Sequence, residues 1–227
     1  MTNFAENILQ FIQHLDFKVI VPDDIQVMNP FLDPETLHCC NLFYKKYYND
    51  SKTRHMIIGI NPGRFGGGVT GIPFTDPARL QINCGIENSW MKKQELSSVF
   101  IYDVINGMGG PEHFYERFYI TAVSPLGFTR QNKNLNYYDD KLLQSSIKNF
   151  VTGSMARQLQ FPIKRDVAFC LGHGKNYQYL SLLNKEMGYF QTIIPLPHPR
   201  FIMQYKLKKK PEYIRNYIEQ LRTVINN

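Results

Sequence analysis

Apolar positions along this chain fall into two alternating patterns. In residues 4–15, FAENILQFIQHL, Phe4, Ile8, Phe11, Ile12 and Leu15 recur at helical spacing and predict an amphipathic helix. Residues 19–28 read as a linker and Asn29-Pro30 as a turn. Asp33-Pro34-Glu35 combines an N-cap, a proline at the first helical position and an acid in the first turn, which predicts a second helix ending near Tyr48. The pattern then changes. Residues 56–60, MIIGI, are apolar without alternation, as in a strand buried on both faces. Residues 118–123, 167–171 and 190–196 repeat that pattern.

Helical stretches separate these runs. One starts at Pro111, one spans about 139–160 and stops before Pro162, one runs up to Gly188, and a terminal one starts at Pro211. Residues 99–105 read as a strand or the helix before one, and 128–138 as a polar loop. Short, continuously apolar strands alternating with helices predict an α/β fold, a three-layer α/β/α sandwich around a central, mainly parallel four-stranded sheet. The 227 residues suit a single domain spanning 1–227. In a parallel sheet the strand ends share one edge, so Asn61, Ser124, His173 and His198, each at a strand end, are expected to converge.

Composition narrows the partner. With 26 Lys and Arg against 19 Asp and Glu, the net charge is +7, which favours a polyanion, chiefly nucleic acid. The four cysteines, Cys39, Cys40, Cys84 and Cys170, lack the spacing of a zinc or iron–sulfur site, so neither a metal nor a cofactor is expected. The start, MTNFAENILQ, does not read as a signal peptide, and no apolar run reaches membrane-spanning length. The expectation is a monomer in the cytoplasm, associated with the nucleoid, with no membrane partner.

The candidate chemistry lies in residues 56–74, MIIGINPGRFGGGVTGIPF. A glycine-rich loop after a strand is a common phosphate cradle. This one lacks the Gly-Lys-Ser/Thr ending and the GxGxxG spacing, and Pro62 and Pro73 remove two amide donors. Cleavage of an N-glycosidic bond fits better. That reaction needs a positioned water, a donor for the anion developing on the base, and a flat face for the base. Asn61 can orient a water, His198 can donate, and Phe74 can stack. Arg200, Phe201, Ile202 and Met203 form a basic and apolar tip able to enter the duplex where the base left.

Gly-Ile-Asn-Pro-Gly-Arg-Phe-Gly (59–66) followed by Thr-Gly-Ile-Pro-Phe (70–74) resembles the first motif of single-strand-selective monofunctional uracil-DNA glycosylases. Their motif reads Gly-Met-Asn-Pro-Gly-Pro-Phe-Gly and then Thr-Gly-Val-Pro-Phe. Weaker likenesses follow at 119–126, at 171–174 and at Pro197-His198-Pro199-Arg200, so the resemblance covers residues 56–205. It implies removal of uracil or a related deaminated or modified base from DNA, without a lyase step or a metal. It also implies catalytic roles for Asn61 and His198, and base contacts at Ile60, Gly63, Phe65 and Phe74, with Ser124 and His173 as further candidates. DNA contacts would come from Arg64, Arg200, Phe201, Ile202, Met203 and Lys206.

Three departures stand out. The family's base-reading asparagine aligns with Ala122, leaving that task to Ser124, a backbone group or another residue. The family's His-Pro-Ser-Pro-Arg aligns in two ways. Matching Pro-Arg puts Leu196 in the histidine's place, whereas matching His-Pro makes His198 the histidine and shortens the loop by two residues. The second is preferred because the chemistry needs the donor. Arg64 replaces a proline and adds charge beside the loop. Ala122 also motivates a rival, a non-catalytic protein that senses damaged bases. Hydrolysis of free nucleosides is a third reading, opposed by the tip at 200–203 and the basic run ending Lys208-Lys209-Lys210.

Overall fold

The computed structural model describes residues 3–225. Its centre is a four-stranded parallel sheet made of β2 (His55–Gly59), β3 (Phe118–Ala122), β6 (Val167–Leu171) and β7 (Thr192–Leu196), in the order β3-β2-β6-β7. All five residues of β2 and of β3 are buried, which explains their largely apolar sequences. A smaller antiparallel sheet, absent from the sequence reading, orders β1 (Ile25–Met28), β4 (Gly127–Arg130) and β5 (Lys133–Leu135) as β1-β4-β5.

Eleven α-helices complete the described chain. Before β3 come α1 (Phe4–Gln13), α2 (Pro34–Tyr47), the short α3 (Gly67–Thr70) and α4 (Pro77–Ile82), α5 (Leu96–Gly107) and α6 (Pro111–Arg117). After β5 come α7 (Lys141–Ser146), α8 (Lys148–Gln158), α9 (Lys175–Met187), α10 (Pro199–Tyr205) and α11 (Lys210–Arg222). Helix α1 packs on α2 and α8, while α5 packs on α10 and α11. With the parallel sheet flanked by helices, the fold is the expected three-layer α/β/α sandwich.

Asp33 caps α2 as the sequence suggested, accepting from the Glu35 and Thr36 amides ahead of Pro34, and Asp76 does the same for α4, accepting from the Arg79 amide ahead of Pro77. Three local expectations are corrected and one open alternative is settled. The stretch read as a linker contains β1, because Ile25–Met28 has β4 to pair with. Of the two readings of residues 99–105, a strand or the helix before one, the structure has the helix, within α5. The single long helix after residue 139 is two helices that meet at Ile147. The polar loop 128–138 holds the β4–β5 hairpin, whose two turn residues, Gln131 and Asn132, have φ of 50° and 56°.

From the central β2 the chain crosses first to β3 on one side, and later to β6 and β7 on the other. That reversal opens a crevice beyond the carboxyl ends of β2 and β6, where open α/β sheets place their sites.

Candidate active site

The crevice is a cavity lined by Gly59, Ile60, Asn61, Gly63, Phe74, Ala122, His198 and Arg200, among others. Asn61 follows the end of β2. Its Oδ1 accepts from the Tyr137 amide at 3.0 Å, and its Nδ2 donates to the Leu135 carbonyl at 3.2 Å. One backbone donor and one backbone acceptor thus fix which end of the carboxamide is oxygen. A carboxamide oxygen has two lone pairs, so Oδ1 keeps one for a water. A buried bolt backs this arrangement. The Tyr137 hydroxyl donates to Asn176 Oδ1 at 2.8 Å, and Asn176 Nδ2 reaches the carbonyls of Leu171 at 3.0 Å and Gly59 at 3.4 Å.

Phe74 lies in the left-handed region at φ 52°, a costly conformation for an aromatic residue and one that tends to mark functional sites. Its ring lies against the end of β2. A Cβ on Gly59 would stand 2.8 Å from Phe74 Cε2, so only glycine lets the ring approach this closely. The ring centroid is 6.2 Å from that of His198.

His198 caps α10, its Nδ1 accepting from the Arg200 amide at 3.1 Å. That bond leaves the proton on Nε2, the nitrogen free to meet a ligand. Burial, with a smaller push from the Arg200 charge, lowers the pKa to about 4, so the ring is neutral at pH 7. The strand end before it is held by the Tyr217 hydroxyl, which donates to the Pro197 carbonyl. Leu196, the alternative under the other alignment, ends β7 and is buried.

The backbone beyond β2 is fixed as well. The Ile60 carbonyl accepts from the Ser124 amide at 3.1 Å, continuing the β2–β3 pairing past the strands.

Several predicted site residues are placed elsewhere. Ser124 is fully buried and its hydroxyl donates to the Leu126 carbonyl at 2.8 Å, so it does not line the cavity. His173 is exposed, its ring bonded to the Pro195 carbonyl at 3.0 Å, and it too is outside the lining. Phe65 faces a neighbouring groove under two cations, Arg64 at 4.3 Å and Lys93 at 3.7 Å from its ring centroid. Ile202 is fully buried and cannot be part of an exposed wedge. On α10 successive residues turn by about 100°, so Phe201 faces out while Ile202 faces the core. Met203 is half-buried against that core. The exposed companion of Phe201 is Tyr205, one turn on, with ring centroids 5.7 Å apart. Lys206 is exposed just after α10, and Lys210 farther along pairs with Asp103 at 2.6 Å.

Among the polar residues of the cavity that escaped the sequence reading are Glu95, Asn134 and Asn136. Asn134 Oδ1 accepts from the Arg64 amide at 3.1 Å, so the hairpin grips the motif loop a second time. Glu95 Oε2 accepts from the Ser98 hydroxyl at 3.3 Å. Burial, reinforced by the Asp76 carboxylate and opposed by Ser98 and Arg200, pushes its pKa up to about 6. A hydrophilic stretch without periodicity gives such residues no signal, and only the tertiary fold brings them here. Beside the cavity, Arg64, Lys93, Lys133 and Arg200 line a groove, and none of them forms an ion pair among the described residues. No group of His, Cys, Asp and Glu among the described residues has the arrangement of a metal site.

Comparison with known proteins decides the family. The model of the uracil DNA glycosylase superfamily matches residues 45–222. The chain belongs to that superfamily. Among solved structures, the wild-type SMUG2 of Pedobacter heparinus is similar at 46% sequence identity, with a TM-score of 0.96 and 100% of each chain covered. No curated protein matches the sequence. The protein is therefore a uracil-DNA-glycosylase-like hydrolase of glycosyl bonds that acts on DNA.

Proposed function

We propose that the protein draws uracil, or a related deaminated base, out of DNA and hydrolyses its N-glycosidic bond in base excision repair, with no lyase step. The observation that carries this reading is the meeting of three parts in one cavity. These are an oriented Asn61 oxygen with a spare lone pair, a neutral His198 with its proton on Nε2, and the Phe74 ring.

The chemistry follows from these parts. As the bond from C1′ to the base lengthens, positive charge grows on the sugar and negative charge on the base. Asn61 Oδ1 holds a water for attack on C1′. His198 Nε2–H donates to the base oxygen that gathers the charge, and a donor already oriented in a dry pocket stabilises it strongly. Phe74 stacks on the base and keeps its plane fixed. A lyase step would need an amine nucleophile, and no lysine among the described residues lines this cavity.

The neighbouring groove supplies the affinity for DNA. Its four unpaired cations suit phosphates on either side of the extruded nucleotide, and Phe201 with Tyr205 offers an exposed aromatic edge beside them. Replacing Arg64 or Lys133 with alanine is expected to weaken binding of all DNA sequences alike. Each change should also flatten the slope of log K against log salt by about 1, the value for losing one phosphate contact. Fluorescence anisotropy over a salt series measures both.

The test of function is incubation with oligonucleotides carrying uracil, xanthine or hypoxanthine, followed by alkali. Strand breaks that appear only after alkali support base removal without lyase activity. Breaks before alkali overturn the monofunctional reading. Binding without any break supports the damaged-base sensor instead.

A further inference from the structure

Ala122 brings no polar side-chain atom to the base, and the Ser124 hydroxyl is turned away from it. Something else must distinguish a deaminated base from its parent. Deamination replaces an amino group, a hydrogen-bond donor, with an oxo group, an acceptor. A site that selects the product needs a donor at that edge.

The space around Gly63 holds such a group. A Cβ on Gly63 would lie 2.3 Å from Glu95 Oε1 and 3.4 Å from Asn134 Nδ2. A Cβ on Gly66 would lie 1.9 Å from Glu95 Oε2. The two glycines thus leave room for one carboxyl group, which enters from the start of α5 and lines both the base cavity and the cationic groove. Oε2 has the Ser98 hydroxyl, whereas Oε1 has no hydrogen-bond partner among the described residues.

We propose that Glu95 contacts the extruded base across the gap at Gly63, and that it reads the base edge that Ala122 leaves unread. The proposal rests on the glycosylase reading given above. As a neutral acid, Glu95 donates to an oxo group. As a carboxylate, it repels an oxo group and accepts from an amino group or ring N–H. The charges facing it are the Asp76 carboxylate, whose Oδ2 accepts from the Glu95 amide at 2.8 Å, and the Arg200 guanidinium. Neutral His198 shares the cavity, and Arg64, Lys93 and Lys133 share the groove. Arg200 favours the carboxylate. A DNA phosphate paired with Arg200 screens that pull, and a base filling the cavity removes water from the carboxyl. Both effects favour the neutral, donating form, so docking of DNA itself arms the reader.

Glu95→Gln keeps the volume and a donor but cannot ionise. In single-turnover assays on uracil-containing oligonucleotides, the wild type is expected to slow by about tenfold as pH rises from 5.5 to 7.5, the scale of one lost hydrogen bond. Glu95→Gln is expected to show a flat profile and an altered ratio of uracil to hypoxanthine release. A variant with the wild-type profile and ratio overturns the proposal while leaving the glycosylase reading intact. If the wild type releases no base at all, the glycosylase reading fails. Calorimetric titration with free uracil at the same two pH values then judges Glu95 alone. Affinity that falls with pH in the wild type but not in the variant supports the contact, and identical behaviour refutes it. Should Glu95→Gln not fold, Glu95→Asp withdraws the carboxyl by one methylene. Its loss of pH-dependent uracil affinity supports the proposal, and retention refutes it.

Discussion

Asn61→Ala is expected to slow single-turnover base release by roughly 10²–10⁴-fold, the range for losing a group that positions or activates a reactant, while DNA binding changes little. In the proposed mechanism the attacking water loses the Asn61 Oδ1 acceptor. The same substitution leaves the Tyr137 amide and the Leu135 carbonyl without their side-chain partners. A stability loss of about 1–3 kcal/mol accompanies the kinetic one if those groups stay unsatisfied. Asn61→Asp separates the two effects. Its carboxylate still accepts from the Tyr137 amide but cannot donate to Leu135. Rapid-quench measurement of base release, beside thermal melting, reads both quantities. Release at the wild-type rate by Asn61→Ala overturns the assignment.

His198→Ala is expected to cost roughly 10²–10³-fold, the scale for removing one donor to a developing anion. The pH dependence adds a sharper test. With its pKa lowered to about 4 by burial, His198 does not titrate between pH 5 and 8. A rate change near pH 6.5 that vanishes in His198→Ala would contradict this environment. The sign for stability follows from the same shift. The folded ring resists protonation more than the unfolded one, whose ordinary value is 6.5. Its contribution to stability is therefore complete above about 6.5 and is lost as pH falls toward about 4. His198→Gln, which cannot gain that charge, should lose less stability than the wild type over this window in denaturant titrations.

The four parallel strands were legible because β2, β3 and β6 are almost wholly buried and carry short, largely apolar runs, while the less buried edge strand β7 still carries apolar Ile193 to Leu196. The small antiparallel sheet was not. Its hairpin turns on Gln131-Asn132, both at positive φ, and lacks the Asn-Gly or Asp-Gly pair that usually announces such a turn. Missing that hairpin hid Asn134, and with it the grip on Asn61 and Arg64. Asn61, Phe74 and His198 could be named early because the first carries a sequence motif and the chemistry demands the other two. Phe201-Ile202-Met203 misled for the opposite reason. Three apolar residues in a row look like one exposed tip, but a helix sends neighbours to different sides, and Ile202 went inward. Glu95 lies in a hydrophilic stretch, and nothing local distinguishes it from a solvated acid.

The clamp on Asn61 has a consequence for when the protein becomes competent. The carboxamide and its amide partner at Tyr137 are 76 positions apart in the chain. A nascent or partly refolded chain that has formed β2 and its loop holds the whole motif, yet its amide still rotates. Competence then arises only when the β4–β5 hairpin docks, and it is lost if that hairpin detaches while the parallel sheet stays folded. Local opening of this segment is a reversible off state, separate from global unfolding. Amide hydrogen exchange at Tyr137 would report how often the molecule visits it.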